Sequence, residues 1–144
     1  MATQSYAKHT QTVPLFHQVL LPLLLLTLIG ACVNLYQSFG NHDRIYSASL
    51  ILVLTICLIM AALFARIFAL KAQDRAIRAE ENLRHFALTG QLLDPRLSIR
   101  QVIGLRFASD GEFVALAKRA AEEKLSPNGI KQAVKDWRAD LYRV

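Results

Sequence analysis

The sequence predicts an all-α membrane protein: a two-helix transmembrane hairpin, its second helix extended into the cytoplasm, followed by a small bundle of three short amphipathic helices. Three observations predict this. No Asp, Glu, Lys or Arg occurs between His9 and His42, and none occurs between Ile45 and Ala65. A bilayer core of about 30 Å takes roughly 20 apolar residues at a rise of ~1.5 Å each. Both stretches supply that length, whereas a soluble helix of the same length needs a charged face for water. The third observation is where charge resumes: Arg66, Lys71, Arg75 and Arg78 follow the second stretch, against the single acid Asp74. Basic residues within about 20 positions of a span end mark the cytoplasmic side, so both termini are expected there.

Residues 1–12 read as a polar N-terminal cytoplasmic arm and residues 13–39 as the first span. Pro14 suits a first helical turn, where its missing N–H leaves nothing unpaired. Pro22 lies inside the span and is expected to bend it, because one backbone hydrogen bond is lost there. Residues 40–44 form a short, nearly neutral periplasmic loop between Tyr36 and Tyr46, two interfacial aromatics. The second span covers residues 45–70. Neither Pro nor Gly interrupts the chain from Ala65 to Thr89, so this helix is expected to leave the membrane and continue through residues 71–93. Along that extension Ala72, Ala76, Ala79, Leu83 and Phe86 recur at steps of three and four, a narrow stripe expected to pack against the protein's own tail. A seam with another molecule is the alternative.

Gly90 and Asp94-Pro95 then break the helix and open a headpiece over residues 94–144. Its first helix is capped by Ser98 and groups Ile99, Val102, Ile103 and Phe107 on one face. Its second starts at Ser109-Asp110-Gly111-Glu112, the pattern of a capping box, with Phe113, Leu116, Ala117, Ala120 and Leu125 facing inward. Its third opens on Ser126-Pro127 and carries Ile130, Val134, Trp137 and Leu141 on one stripe.

With 144 residues, 53% of them hydrophobic, the chain has room for two spans and a modest headpiece, not for a large soluble core. A net charge of +6 invites a nucleic-acid reading. From residue 71 onward, however, 14 basic residues interleave with 10 acidic ones, the pattern of a solvated face with some attraction to membranes. No nucleic-acid partner is expected, since that would want a cleaner basic stripe. Cys32 and Cys57 both fall in the spans, offset by about 7.5 Å if the hairpin turns near His42, too far for a disulfide. Ile29-Gly30-Ala31-Cys32 resembles a lipoprotein cleavage site, but the apolar run is longer than a signal core and Lys8 is the one basic residue ahead of it.

No catalytic, metal or cofactor site is expected. His9, His17, His42 and His85 are scattered, and neither Cys-x-x-Cys nor His-Glu-x-x-His spacing occurs. Asp110-Gly111-Glu112 lacks the further ligands of a calcium loop. Two regions invite a binding role. His17, Arg66, Lys71 and Arg75 gather at the cytoplasmic membrane edge, where an anionic phospholipid headgroup or a quinone would bind; the plainer reading is that Arg66 snorkels and His17 makes a local polar contact. Ala72, Ala76, Ala79, Leu83, Phe86, Phe107, Trp137 and Tyr142 are the partner-interface candidates, because aromatic anchors dominate interface energetics. For Phe107 and Trp137 internal packing is the competing expectation.

The segments Ala69-Leu70-Lys71-Ala72-Gln73-Asp74-Arg75-Ala76-Ile77-Arg78, Leu105-Arg106-Phe107-Ala108-Ser109-Asp110 and Lys135-Asp136-Trp137-Arg138-Ala139-Asp140 resemble a family of small bacterial two-span proteins of unknown function, DUF6526. His9-Thr10 and Pro14-Leu15-Phe16-His17 extend the resemblance to the start of the chain. It implies a bacterial inner-membrane location and a self-standing unit, and no catalytic residue. The functional expectation is therefore a non-enzymatic accessory or structural subunit of a larger membrane complex, with other membrane-protein subunits and phospholipid as partners. A respiratory or electron-transfer complex is named from class frequency alone. A self-assembling homo-oligomeric scaffold, or an adaptor for a soluble cytoplasmic protein, is the alternative.

Overall fold

A computed structural model describes Tyr6 and residues 13–140. The expectations for the N-terminal arm, Tyr6 apart, and for Leu141 and Tyr142 lie outside the described residues. Every regular element among the described residues is helical: a π-helical turn at Leu15–Leu20, then α1 (Leu21–Gln37), α2 (His42–Thr89), α3 (Ile99–Leu105), α4 (Asp110–Glu122) and α5 (Pro127–Ala133). Leu15–Gln37 and α2 are each long and apolar enough to cross a membrane. The described residues fall into two compact units, first 13–69 and second 70–140 together with Tyr6, which are described separately.

In the first unit, Pro22 acts by adding a residue to the turn before it. The Leu21 N–H reaches back five residues to the Phe16 carbonyl, so the turn widens into a π-helix and leaves room for the proline ring. The hydroxyls of Thr27 and Thr55 donate to the carbonyls of Leu23 and Ile51, both at 2.8 Å, and so need no outside partner. Asn41 starts α2, its Oδ1 accepting from the N–H groups of Asp43 (3.2 Å) and Arg44 (3.3 Å). The buried residues here are small: Ala31, Ser38, Ala48 and Thr55, two pairs each seven residues apart. Cys32 and Cys57 are exposed and unbridged.

The second unit has one apolar core. Leu97, Val102, Leu105, Phe107, Phe113, Leu116, Ala120 and Ile130 fill it, and Ile77 of α2 and Leu93 join its edge. Gly90, with φ +73°, ends α2 in the left-handed conformation that glycine adopts most easily. Ser98 completes a reciprocal capping box with Gln101 at the start of α3. Ser126 caps α5 through its hydroxyl, which accepts from the Gly129 N–H at 3.0 Å. At the end of α4, the Leu125 N–H bonds to the Ala120 carbonyl (3.2 Å) across Lys124, whose φ is +51°. This is the Schellman closure with lysine where glycine is usual.

Three local expectations are corrected. Ser109 sits at the N-cap of α4 but makes no side-chain cap bond. Its intended partner Glu112 is drawn away: the carboxylate accepts from the backbone N–H groups of Lys135 (3.2 Å) and Asp136 (3.0 Å). Phe107 lies beyond the end of α3 rather than on its face. Finally, α5 stops at Ala133, and Val134 is already extended with ψ 121°. The residues after it pair with residues 107–109: the Arg138 N–H donates to the Phe107 carbonyl (2.8 Å), and the Ser109 N–H to that of Asp136 (3.1 Å). Trp137 thus reaches the core from an extended segment, not from a helix.

Helix α3 packs on α5 at Gly104. A Cβ there would lie 3.1 Å from the Pro127 carbonyl oxygen and 3.3 Å from Ile130 Cγ2. Backbone cannot swing aside as a side-chain tip can, so Gly104→Val is expected to destabilise the headpiece by about 2 kcal/mol. Chemical denaturation of the full chain in detergent, followed by the fluorescence of its single tryptophan, checks this.

Candidate interaction surface

The second half of α2 presents two different faces. One is polar and docks on the headpiece. Arg78 Nη2 donates to the Leu97 carbonyl (3.1 Å), Asn82 Oδ1 accepts from the Leu93 N–H (3.2 Å), and His85 Nδ1 donates to the Gln91 carbonyl (2.7 Å). A carbonyl oxygen only accepts, so in this contact the ring nitrogen is the donor.

Arg84 is the centre of this face. Its Nε donates to Asp110 Oδ1 (2.7 Å), Nη1 to Glu81 Oε2 (3.0 Å) and Nη2 to the Ala108 carbonyl (2.7 Å). The guanidinium carbon lies 4.2 Å from the centre of the Phe113 ring, within cation–π range. Glu81, 5% exposed, has Arg138 as a second, looser cation at 3.7 Å. Glu80, Glu81, Arg84, Asp110 and Arg138 line an open depression whose charges largely answer one another. Elsewhere in the headpiece Arg106 is buried, pairing with Asp140 at 3.2 Å and lying 4.8 Å from the Phe107 ring centre.

The loop between α2 and α3 is pinned by Arg96. Its side chain and its own N–H both donate to Asp94, which holds that carboxyl down at about 2, and the carboxylate in turn raises the Arg96 pKa.

The other face of α2 is uncovered. Ala72, Ala76, Ala79, Leu83 and Phe86 are all exposed, Leu83 by 68% and Phe86 by 52%. The stripe expected to pack against the tail therefore does not; Ile77 and Glu81, on the opposite side of the helix, are the residues buried there. Phe107 is fully buried, its ring centre 5.0 Å from that of Trp137, so both side chains belong to internal packing.

The residues expected to gather at a membrane edge lie in both units. In the first unit His17 turns back on its own helix, with Nδ1 3.0 Å from the Val13 carbonyl and 3.2 Å from the Val13 nitrogen. Its ring meets Phe16 edge-on at 5.1 Å, and the Arg66 guanidinium sits 5.7 Å from the Phe16 ring centre. Phe16 is thus a neighbour of both His17 and Arg66. Lys71 and Arg75, in the second unit, are exposed. Among the described residues, no group of three or more His, Cys, Asp or Glu side chains is placed to hold a metal ion.

Sequence reasoning missed the docking face of α2. Apolar periodicity selects the stripe on the other side, and the signal that was present is a polar one: Arg78, Glu81, Asn82 and Arg84-His85 recur at helical spacing. Comparison with curated proteins and with solved structures returns no match. The model of a family of unknown function, DUF6526, matches residues 1–144, and the chain belongs to that family.

Proposed function

We propose that this protein is a non-catalytic accessory or structural subunit of a bacterial inner-membrane assembly, inserted as a two-span hairpin with both termini in the cytoplasm. The charge-free lengths, the hydroxyls bonded within their own helices and the basic residues after Ala65 support insertion. Small buried residues at seven-residue spacing on α2 (Ala48, Thr55), and similarly spaced at Ala31 and Ser38, support close packing of the two spans. The run of basic residues that follows the second charge-free stretch in the sequence, Arg66, Lys71 and Arg75, suits anionic phospholipid.

The observation that carries the reading is the uncovered apolar face of α2 between Ala72 and Phe86. The headpiece closes over its own core and leaves beside it a row of apolar side chains that water does not favour, a feature of contact surfaces. The mass of the native particle, measured after extraction in mild detergent, tests this. A particle heavier than one chain is expected, dissociating when Leu83→Glu and Phe86→Glu are combined. A wild-type protein that runs as a single chain overturns the reading.

A further inference from the structure

The uncovered row on α2 has the spacing of a coiled-coil seam. From Ala72 the steps to Ala76, Ala79, Leu83 and Phe86 alternate four and three, the repeat of apolar positions a and d. At about 100° per residue the five side chains fall within an arc of about 80°. Ile77 and Glu81, buried against the headpiece, lie about 140° and 180° around the helix from the middle of the row. A second helix can therefore lie along the row without displacing the headpiece.

The flanking charges select what that helix is. With Ala76 and Leu83 at a and Ala72, Ala79 and Phe86 at d, Arg75 takes a g position and Glu80 the following e position. In a parallel pair, a g side chain faces the e side chain five residues further along the other helix. Arg75 of one copy then faces Glu80 of another, and symmetry supplies the pair twice. Both side chains are exposed, and neither makes an ion pair within the single chain among the described residues. An antiparallel pairing would bring like positions together and lose this match. In the sequence the same four-three spacing continues backwards through Ala69, Ala65 and Ala62, small residues of the kind that let helices approach closely in lipid.

We propose that the occupant of this face is a second copy of the same chain, in parallel orientation, with Ala72, Ala76, Ala79, Leu83 and Phe86 as the seam and Arg75–Glu80 as the reciprocal charge pair. The proposal deepens the subunit reading and rests on its two premises, membrane insertion and a protein contact at the row. Two copies inserted in one direction present their α2 helices in parallel. Two heptads are short for an independent coiled coil, but confinement to one bilayer raises the effective concentration of the copies for one another.

Disulfide cross-linking of the full chain in native membranes tests it. In a background carrying Cys32→Ala and Cys57→Ala, the variants Ala76→Cys, Ala79→Cys and Leu83→Cys are each expected to form a covalent dimer on mild oxidation. Lys118→Cys, on the exposed side of α4, is expected not to. Adding Arg75→Glu to Ala79→Cys should lower the dimer yield by about tenfold, through two lost attractions and two new repulsions. Adding Glu80→Arg as well should restore it. Failure of the charge exchange to restore the dimer overturns the parallel pairing. Cross-linking at Ala79→Cys to a product of another mass, or no dimer from a particle still heavier than one chain, overturns the second copy as occupant and leaves the subunit reading standing. No dimer from a particle that is a single chain overturns both.

Discussion

Arg84→Ala is expected to destabilise the headpiece and its attachment to α2 by about 3 kcal/mol or more, since removing one partner of a buried ion pair leaves the other charge uncompensated. Glu81 is the charge left behind; its remaining cation, Arg138, is 3.7 Å away and more than half exposed. The change also orphans the Ala108 carbonyl and removes the cation from the Phe113 ring. Two companions separate the contributions. Arg84→Lys keeps the charge but replaces a planar fork that reaches Asp110, Glu81 and Ala108 at once with a single ammonium, so it should recover only part of the loss. Arg84→Ala combined with Glu81→Gln removes the stranded charge and should be milder than Arg84→Ala alone. Denaturant titrations of the full chain in detergent, read by tryptophan fluorescence, measure all three. Equal stability of Arg84→Ala and the native protein would show that the network contributes nothing net.

Phe107→Ala should cost about 3–5 kcal/mol, the range for a buried phenylalanine whose surroundings collapse only partly. The ring is wholly enclosed by Trp137 (5.0 Å between centres), the Arg106 guanidinium (4.8 Å) and the Lys131 ammonium (5.9 Å). The backbone of the same residue holds the final segment through the Arg138 N–H. Loss of the ring therefore loosens the stretch carrying Trp137, and tryptophan emission should move to longer wavelength as water reaches the indole. Phe107→Leu keeps most of the volume and is expected to lose about 1 kcal/mol with little spectral change. A large spectral shift in the leucine variant would mean that ring stacking, not filled volume, holds the segment.

The helical architecture was largely legible because its signals are local and strong. Two charge-free stretches, the proline and glycine punctuation, and the serine caps at Ser98 and Ser126 each act through the residues beside them. Signals that depend on tertiary competition were not legible. Ser109 to Glu112 has the letters of a capping box, yet Glu112 bonds to two N–H groups more than twenty residues away because the final segment offers them without partners of their own. Ile130, Val134 and Trp137 fit a helical period, but α5 ends at Ala133, and beyond it the pairing of Asp136 and Arg138 with residues 107–109 holds the chain extended. The candidate surface was legible as a stripe and misjudged as to what covers it. The inward face of α2 carries Arg78, Glu81, Asn82 and Arg84, and polar docking leaves no hydrophobic periodicity to find.

The π-helical turn at Leu15–Leu20 has a consequence for how the N-terminus tolerates change in length. A π turn holds one residue more than the α-helix around it, so it works as a place where the count is already one too many. Deleting a single residue between Leu15 and Leu20 removes that surplus and leaves Leu21 onward in its present register, whereas the same deletion within α1 turns everything on one side of it by about 100° relative to the other. Of the two long apolar helices, the first thus carries its own slack in register just ahead of Pro22.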